Sequence, residues 1–200
     1  MKVGTKSVII GAHCALIHPF FVAGAWWKLY GFPFDPRLWL SFIVHDLGYI
    51  HKSNMDGFEG ERHVLLGGRI MGWLFGPKWR DFTLCHSRHW AKRLGKPYSK
   101  LCVADKLAFV MMPSWLYLPM ARASGELAEY IRVASARQSG GRFNNFEMSL
   151  LKCRNPEVWL EGLKSYTRRW VEKHRDGGAD QWTVVRSGEA EREVCETRGY

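Results

Sequence analysis

Residues 35–48 read DPRLWLSFIVHDLG and decide the fold. Asp35 followed by Pro36 predicts a helix start, because an aspartate accepts hydrogen bonds from the first helical N–H groups and proline suits the first helical position. The apolar run that follows predicts a core helix ending at the glycine that closes the stretch. His45 and Asp46 fall in the last turn of this helix, where burial is costly unless another group compensates their polarity.

Helix signals recur on both sides of this stretch, whereas the alternating pattern of a β-strand does not. The sequence therefore predicts an all-α fold, a helical bundle. The predicted helices cover roughly residues 18–30, 36–47, 61–75, 78–94, 99–112, 124–137 and 156–174. Loops are predicted at residues 49–60 and 139–145, and Pro113 and Pro119 interrupt the chain between two of the helices.

One domain is predicted over residues 1–174, followed by a polar tail over residues 175–200. A chain of 200 residues that is 46% hydrophobic and 24% charged is long enough for a single full core. The tail holds four arginines and six acidic residues with few large apolar side chains. Such a composition predicts a disordered or extended segment.

The net charge is +10, and the first 174 residues carry +12 because the tail is slightly acidic. A basic body favours an anionic partner, such as a phosphorylated metabolite, a nucleic acid or a membrane surface. Solubility alone explains a net charge of this size equally well.

Residues 8–30 form an apolar stretch that resembles a membrane span. It contains His13, His18 and Pro19, and polar groups are expensive in lipid, so a buried core helix and no membrane partner are predicted. The five cysteines are odd in number and form no CxxC pair, which indicates free thiols in a reducing compartment. A cytoplasmic location is predicted.

Histidines and aspartates fall on five successive predicted helices, each beside apolar residues. They are His18, His45, Asp46, His63, His86, His89 and Asp105. A single buried histidine is usually an ordinary core residue, but several imidazoles and two carboxylates in one core carry a heavy desolvation cost unless an ion is present. Imidazole nitrogens and carboxylate oxygens suit Mn, Fe, Co, Ni or Zn, and bundle interiors commonly hold such sites.

The order of these residues resembles that of the HD-domain superfamily of metal-dependent phosphohydrolases. The stretch from His18 to Gly48, with its HPxxVA opening and its HD pair, is similar to the first part of the hydrolase domain of stringent-response alarmone enzymes. LCVADKLAF, at residues 101–109, resembles the closing ADxLA element. The resemblance covers about residues 13–112 and implies an HD-type helical bundle.

The resemblance also implies a metal site. By position, a first ion would be held by four side chains, which are His18, His45, Asp46 and Asp105. His13 is a weaker rival to His18, and core packing is the preferred role for it. One or two divalent transition-metal ions are expected, with Mn or Fe favoured.

A second ion is implied by HVLLGGRI, which resembles the HxxxGA helix of members with two metals. His63 and His86 would be its ligands. His89 stands one turn after His86, so it is an alternative ligand or a proton donor. Asp46, His86 and His89 are therefore counted as catalytic as well.

Basic side chains beside these ligands are candidates for holding phosphate charge. They are Lys52, Arg62, Arg88 and Lys106. The loop HKSNMDGFEGER supplies Asn54 as a further substrate contact, and Asp56 or Glu59 as a general acid or base. An ordinary solvated loop with surface charges is the alternative.

The cluster RHWAKRLGKPYSK, at residues 88–100, interleaves basic residues with Trp90 and Tyr98. Such a pattern suits nucleic acid, but a mononucleotide or phosphoester at the mouth of the site is the preferred interpretation.

The predicted function is hydrolysis of a phosphoester or phosphoanhydride of a nucleotide or a related small metabolite by a metal-activated water. One alternative is a di-iron oxygenase of HD type, which would use the same ligands. A non-catalytic binding protein is the other, and it is disfavoured because the set of ligands is complete.

Overall fold

The computed structural model describes residues 1–55, 57–139, 155–176 and 178, and the regular elements in these ranges are helical. The α-helices are α1 (Val3–Ile10), α2 (His18–Tyr30), α3 (Pro36–Val44), α4 (Gly57–Glu61), α5 (Val64–Phe75), α6 (Pro77–Leu84), α7 (Arg88–Arg93), α8 (Lys100–Met111), α9 (Ser114–Ser124), α10 (Glu126–Ser139) and α11 (Pro156–Lys173). A 3₁₀ helix, Leu47–Tyr49, lies between α3 and α4. The predicted all-α fold is confirmed.

Helix α3 begins as its sequence predicts and ends about one turn early. The Asp35 carboxylate accepts a hydrogen bond from the backbone N–H of Arg37 at 2.9 Å. The α-helix stops at Val44, and the chain turns at Asp46, whose backbone has φ −101° and ψ −3°. The prediction of one helix through to the glycine was therefore wrong. The turn lets both side chains of the His45–Asp46 pair reach the same region of the interior.

The predicted helix over residues 78–94 is two helices, α6 and α7. The first ends at Leu84, and Ser87 starts the second by accepting a hydrogen bond from the N–H of Trp90 at 3.3 Å. A serine that caps a new helix was the signal for this break. His86 consequently lies in the connection between the helices instead of inside one.

Three further segments differ from the prediction or lie outside the structure. The predicted loop over residues 49–60 contains the start of α4. Helix α9 follows Pro113 directly and accommodates Pro119 in its interior, although the two prolines had suggested a break. The part of the predicted loop from residue 140 to 145 lies outside the described residues.

Helices α2, α3 and α8 form the centre of the bundle. Their fully buried core residues include Val22, Phe42, Leu101 and Val103, and burying an aliphatic or aromatic side chain of this size contributes about 1.5–3 kcal/mol. A second cluster joins α9, α10 and α11 around Leu118 and other apolar residues. This packing holds the inner face of α8 against the start of α2.

Helix α5 packs unusually closely against the end of α3. A Cβ atom on Gly67 would lie 2.5 Å from the carbonyl oxygen of Val44, and one on Gly48 would lie 1.8 Å from that of His63. Since real Cβ atoms do not approach backbone atoms this closely, both positions need glycine. The contact brings the segment before α5 beside the His45–Asp46 turn.

None of the described helices is by itself long and apolar enough to cross a membrane. Helices α8 and α9 reach the necessary length and composition as a pair, but they are bent by 103° relative to each other.

The first residues of the predicted tail contact the bundle. Arg175 donates a hydrogen bond to the carbonyl of Leu29 at 2.6 Å and accepts one from the hydroxyl of Tyr30. Tyr98 and Gly178 exchange two backbone hydrogen bonds, at 2.8 and 3.2 Å. Residues 179–200 lie outside the described residues, so the disorder predicted for the tail stays a prediction.

We expect truncation after His174 to destabilise the protein relative to truncation after Gly178. The shorter protein loses these four hydrogen bonds. At about 0.5 kcal/mol each, the low end for a hydrogen bond, the difference in the free energy of unfolding should be about 2 kcal/mol. Urea titrations of the two truncated proteins measure it. Equal midpoints would show that residues 175–178 do not stabilise the bundle.

Candidate metal centre

The structure brings together all six side chains that the sequence predicts as metal ligands. They form two groups that could each hold a metal ion, His18–His45–Asp46–Asp105 and Asp46–His63–His86, and the ligand atoms of each group lie within 4.8 Å of one another. His18 is the first residue of α2, and Asp105 lies on α8. The other ligands lie at helix ends or between helices. Asp46 belongs to both groups.

The first group has the dimensions of a coordination shell. The Asp46 Oδ2 atom lies 3.4 Å from Nε2 of His18 and 3.2 Å from Nε2 of His45. The Asp105 Oδ1 atom lies 2.9 and 3.7 Å from the same two nitrogens. Ligand atoms that bind one ion at about 2.0–2.2 Å lie roughly 3.0–3.5 Å from each other. The four side chains therefore fit around one ion.

The second group uses the other oxygen of Asp46. Its Oδ1 atom lies 3.5 Å from Nε2 of His63 and 3.5 Å from Nε2 of His86. These two nitrogens are 3.1 Å apart. One carboxylate thus presents an oxygen to each group, as a ligand that bridges two ions would.

Three of the histidines are oriented by the backbone. The Nδ1 atom of each lies close to the carbonyl oxygen three residues before it, at 3.0 Å for His45, 2.7 Å for His63 and 2.6 Å for His86. A carbonyl accepts, so Nδ1 carries a hydrogen and Nε2 is the nitrogen that can ligate a metal. This is the usual support for a histidine that ligates metal through Nε2.

The buried polar atoms at the centre lack ordinary partners. With hydrogens on both Nδ1 atoms, the Nε2 lone pairs of His63 and His86 face each other at 3.1 Å. In the part of the chain that the structure describes, Nε2 of His45 and Oδ2 of Asp46 are buried and have no hydrogen-bond partner. Unpaired buried polar groups are expensive. Cations between these atoms would remove the cost, so the residues fit a divalent metal.

The charges at the centre are those of a cation site. Burial raises the pKa of Asp46, but His45 and the other surrounding imidazoles hold it well below its usual range. Burial likewise raises the pKa of Asp105, but the hydrogen bonds with His18 and His45 hold it well below its usual range. Burial lowers the pKa of His63 to about 3, so this ring is neutral at physiological pH. The two carboxylates are therefore ionised beside a neutral imidazole.

We expect cation binding to release a proton from His45. Burial lowers the pKa of this histidine, but Asp46 and Asp105 raise it to about 10 when no cation competes. A ligand must be neutral, so at pH 8 about one proton leaves the ring, and metal affinity rises with pH up to the pKa. Calorimetric titrations with Mn²⁺ in buffers of different ionisation enthalpy count the protons. Binding without proton release would contradict the expectation.

Two residues that sequence reasoning missed support the centre. The Tyr49 ring stacks on His63 with ring centroids 4.0 Å apart and planes at 6°. The local sequence around Tyr49 did not indicate this stacking. The second is Glu126, which contacts His13. Nothing in the local sequence around Glu126 indicated this contact.

The other predicted catalytic histidine lies outside both groups. His89 is half-buried on α7, with its ring 6.3 Å from that of Trp90. His86, and not His89, therefore belongs to the second group. His13 is likewise outside both groups, although its side chain binds polar groups instead of packing in an apolar core.

Two of the predicted substrate cations share one aromatic neighbour. The guanidinium of Arg88 lies 5.4 Å from the ring centre of Trp170, and the ammonium of Lys106 lies 5.5 Å from it. Arg88 follows the ligand His86 by two residues, and Lys106 follows Asp105 directly. Cation–π contacts of this kind restrain both charges at the Trp170 ring.

The described residues of the loop at 51–62 that were predicted to bind substrate or transfer protons lie outside both groups. Lys52 and Asn54 are half-buried and Arg62 is exposed, and none of the three belongs to either group. Glu59 accepts a hydrogen bond from the backbone N–H of Ser53 at 3.3 Å, which ties the loop together. Asp56 lies outside the described residues. Roles in catalysis or substrate binding for these residues stay predictions.

Trp90 and Tyr98, the aromatic residues of the basic cluster, both make contacts with other parts of the protein. Tyr98 is 2% exposed, and the indole N–H of Trp90 donates a hydrogen bond to the carbonyl of Glu61 at 2.6 Å. A platform for stacking bases needs exposed rings. Tyr98 is therefore not available for stacking on a base, and the choice between a mononucleotide and a nucleic acid for residues 88–100 stays a prediction.

Comparisons with known proteins found no family model, no curated protein and no solved structure that matches the chain. The helical fold and the buried histidine–aspartate groups are compatible with an HD domain.

Proposed function

We propose that the protein is a metal-dependent phosphohydrolase of HD type that cleaves a phosphoester or phosphoanhydride of a nucleotide or a related small metabolite. The observation that carries the proposal is the position of Asp46, which presents one oxygen to each of two groups of imidazole nitrogens. When bound, divalent ions supply a water nucleophile at neutral pH and neutralise phosphoryl oxygens.

The protein's own residues would do the positioning. The backbone carbonyls orient the imidazoles of His45, His63 and His86, so that each presents Nε2. Arg88 and Lys106, held at Trp170, would neutralise phosphate oxygens that the ions do not reach. The positive charge of the body would draw anionic substrates to the site.

Metal analysis of the purified protein, followed by a phosphate-release screen, tests the proposal. The screen covers nucleoside mono-, di- and triphosphates and cyclic nucleotides with added Mn²⁺. We expect up to two ions per chain and metal-dependent release of phosphate from at least one class. The shared carboxylate would equally suit a di-iron pair, and iron with substrate-dependent oxygen uptake in place of phosphate release would establish the oxygenase alternative.

A further inference from the structure

The two histidines that distinguish the second group from the first come from different segments of the chain. His63 precedes α5, and His86 lies in the connection between α6 and α7. Each ring is oriented from within its own segment, His63 by the carbonyl of Gly60 and His86 by that of Thr83. Their Nε2 atoms lie 3.1 Å apart, a separation that suits two ligands of one ion. The hydrogen bonds within each segment fix the orientation of its ring but not the distance between the two rings.

Glu61 joins these two segments. It is the last residue of α4 and stands two residues before His63. Its Oε2 atom accepts a hydrogen bond from the hydroxyl of Ser87, the residue after His86, at 2.7 Å. Its backbone carbonyl accepts another from the indole N–H of Trp90, on α7, at 2.6 Å. One residue therefore connects the segment that carries His63 to the segment that carries His86 at two points.

The Ser87 hydroxyl links Glu61 to the backbone of α7. It donates to the Glu61 carboxylate and accepts from the backbone N–H of Trp90 at 3.3 Å, which caps the helix. Ser87 is 8% exposed, so water competes little for its hydrogen bonds. A hydrogen bond to a carboxylate is among the stronger kinds in proteins. The contact between Glu61 and Ser87 can therefore hold the start of α7, and the ligand next to it, in a fixed place.

Helix packing brings the two segments together but leaves their ends for Glu61 to fix. Helices α5 and α6 pack so closely that a Cβ atom on Gly68 would lie 2.5 Å from the Leu84 side chain. His63 precedes α5, however, and His86 follows α6. Both ligands thus lie just beyond the ends of the packed helices, where the hydrogen bonds of Glu61 act.

We infer that Glu61 is a positioning residue for the second metal ion, whose hydrogen bonds with Ser87 and Trp90 hold His63 and His86 at the spacing that one ion requires. Glu61 belongs to neither group of candidate ligands, so this role is distinct from ligation. The inference rests on the proposed function for the presence of two ions. Loss of a residue that supports metal ligands typically lowers metal affinity by about 10–100-fold.

Titration of the full-length, metal-free protein with Mn²⁺ tests the inference. Calorimetry and metal analysis give the affinity and the number of bound ions, and electron paramagnetic resonance distinguishes an isolated Mn²⁺ ion from a coupled pair. We expect Glu61→Ala to weaken binding of the second ion about tenfold or more and to leave the first ion bound. At a Mn²⁺ concentration that just fills both sites of the wild type, the variant should therefore show the spectrum of an isolated ion.

Two further variants separate the hydrogen bond of Glu61 from its charge. Glu61→Gln keeps an acceptor for the Ser87 hydroxyl but loses the charge, so the second ion should bind with nearly wild-type affinity. Ser87→Gly removes the hydroxyl, and because glycine is an accepted residue at a helix N-cap, it should weaken the second ion as Glu61→Ala does. Glu157→Ala is the matched control, since this exposed glutamate accepts a hydrogen bond from Arg122 and belongs to neither group. It should leave both ions bound as in the wild type.

The positioning role and the proposed function fail in different ways. Wild-type affinity for the second ion in Glu61→Ala overturns the positioning role, and so does a loss in Glu61→Gln as large as that in Glu61→Ala, because the charge would then be responsible. If Glu61→Ala loses helical content, Glu61→Gln and Ser87→Gly decide the matter. A wild type that binds two ions in a Glu61-dependent way but hydrolyses nothing in the substrate screen overturns the proposed function alone. A wild type that releases phosphate with a single bound ion overturns the positioning role alone.

Discussion

Asp46→Ala is expected to strip metal from both groups and to abolish hydrolysis. Asp46 is the one residue common to the two groups, and its oxygens lie 3.2–3.5 Å from four different imidazole nitrogens. Its removal leaves three ligands in one group and two in the other, together with a loss of negative charge that attracted the cations. Metal content should fall from two ions to less than one per chain, and phosphate release should become undetectable.

The fold should survive this change. Asp46 lies in the turn after α3, and its side chain makes no helix cap, so circular dichroism should show helical content close to that of the wild type. Asp46→Asn keeps the side-chain volume but removes the charge. It should still lose most of the metal, which would attribute the loss to the charge and not to the volume. Asp81→Ala is the matched control, since that aspartate forms ion pairs with Arg80 and Lys96 and belongs to neither group of candidate ligands. Wild-type turnover in Asp46→Ala would refute the metal centre.

The clustering of the six candidate ligands could be predicted from the sequence because each one lies beside apolar residues on a predicted helix. Asp35 and Pro36 mark the start of α3, and the apolar run behind them marks its buried face, so the HD pair had to reach the core. The break before α7 was missed because the apolar pattern continues across it, and pattern alone does not show where a serine cap interrupts a helix. Local sequence signals therefore predict which residues form a helix better than they predict where that helix ends.

Contacts between distant segments could not be predicted in the same way. Glu126 reaches the backbone of Ala12 across 114 positions of sequence, and neither residue is unusual in its own surroundings. The stacking of Tyr49 on His63 depends on how the 3₁₀ helix meets the segment before α5. The contact between these two segments depends on glycines that let their backbones approach closely, and a hydrophobic pattern does not indicate such glycines.

Gly48→Ala is expected to destabilise the protein and to remove the second metal ion. A Cβ atom at this position would lie 1.8 Å from the carbonyl oxygen of His63 and 2.7 Å from its carbonyl carbon. These are backbone atoms, so relief requires the 3₁₀ helix and the segment before α5 to separate. Such overpacking costs about 3 kcal/mol of unfolding free energy. The separation also carries Nε2 of His63 away from the Asp46 oxygen that now lies 3.5 Å from it.

Gly24→Ala provides the matched control for this substitution. Gly24 lies inside α2, and a Cβ atom there would meet Met111 at 3.7 Å, an ordinary van der Waals contact. Alanine in a helix interior should raise stability by about 0.5–1 kcal/mol and leave two ions bound. Urea unfolding and metal analysis of both variants decide the matter. Since His18, His45 and Asp105 are untouched, Gly48→Ala should keep one ion, and a variant that keeps both ions at wild-type stability would show that close approach at Gly48 does not build the second site.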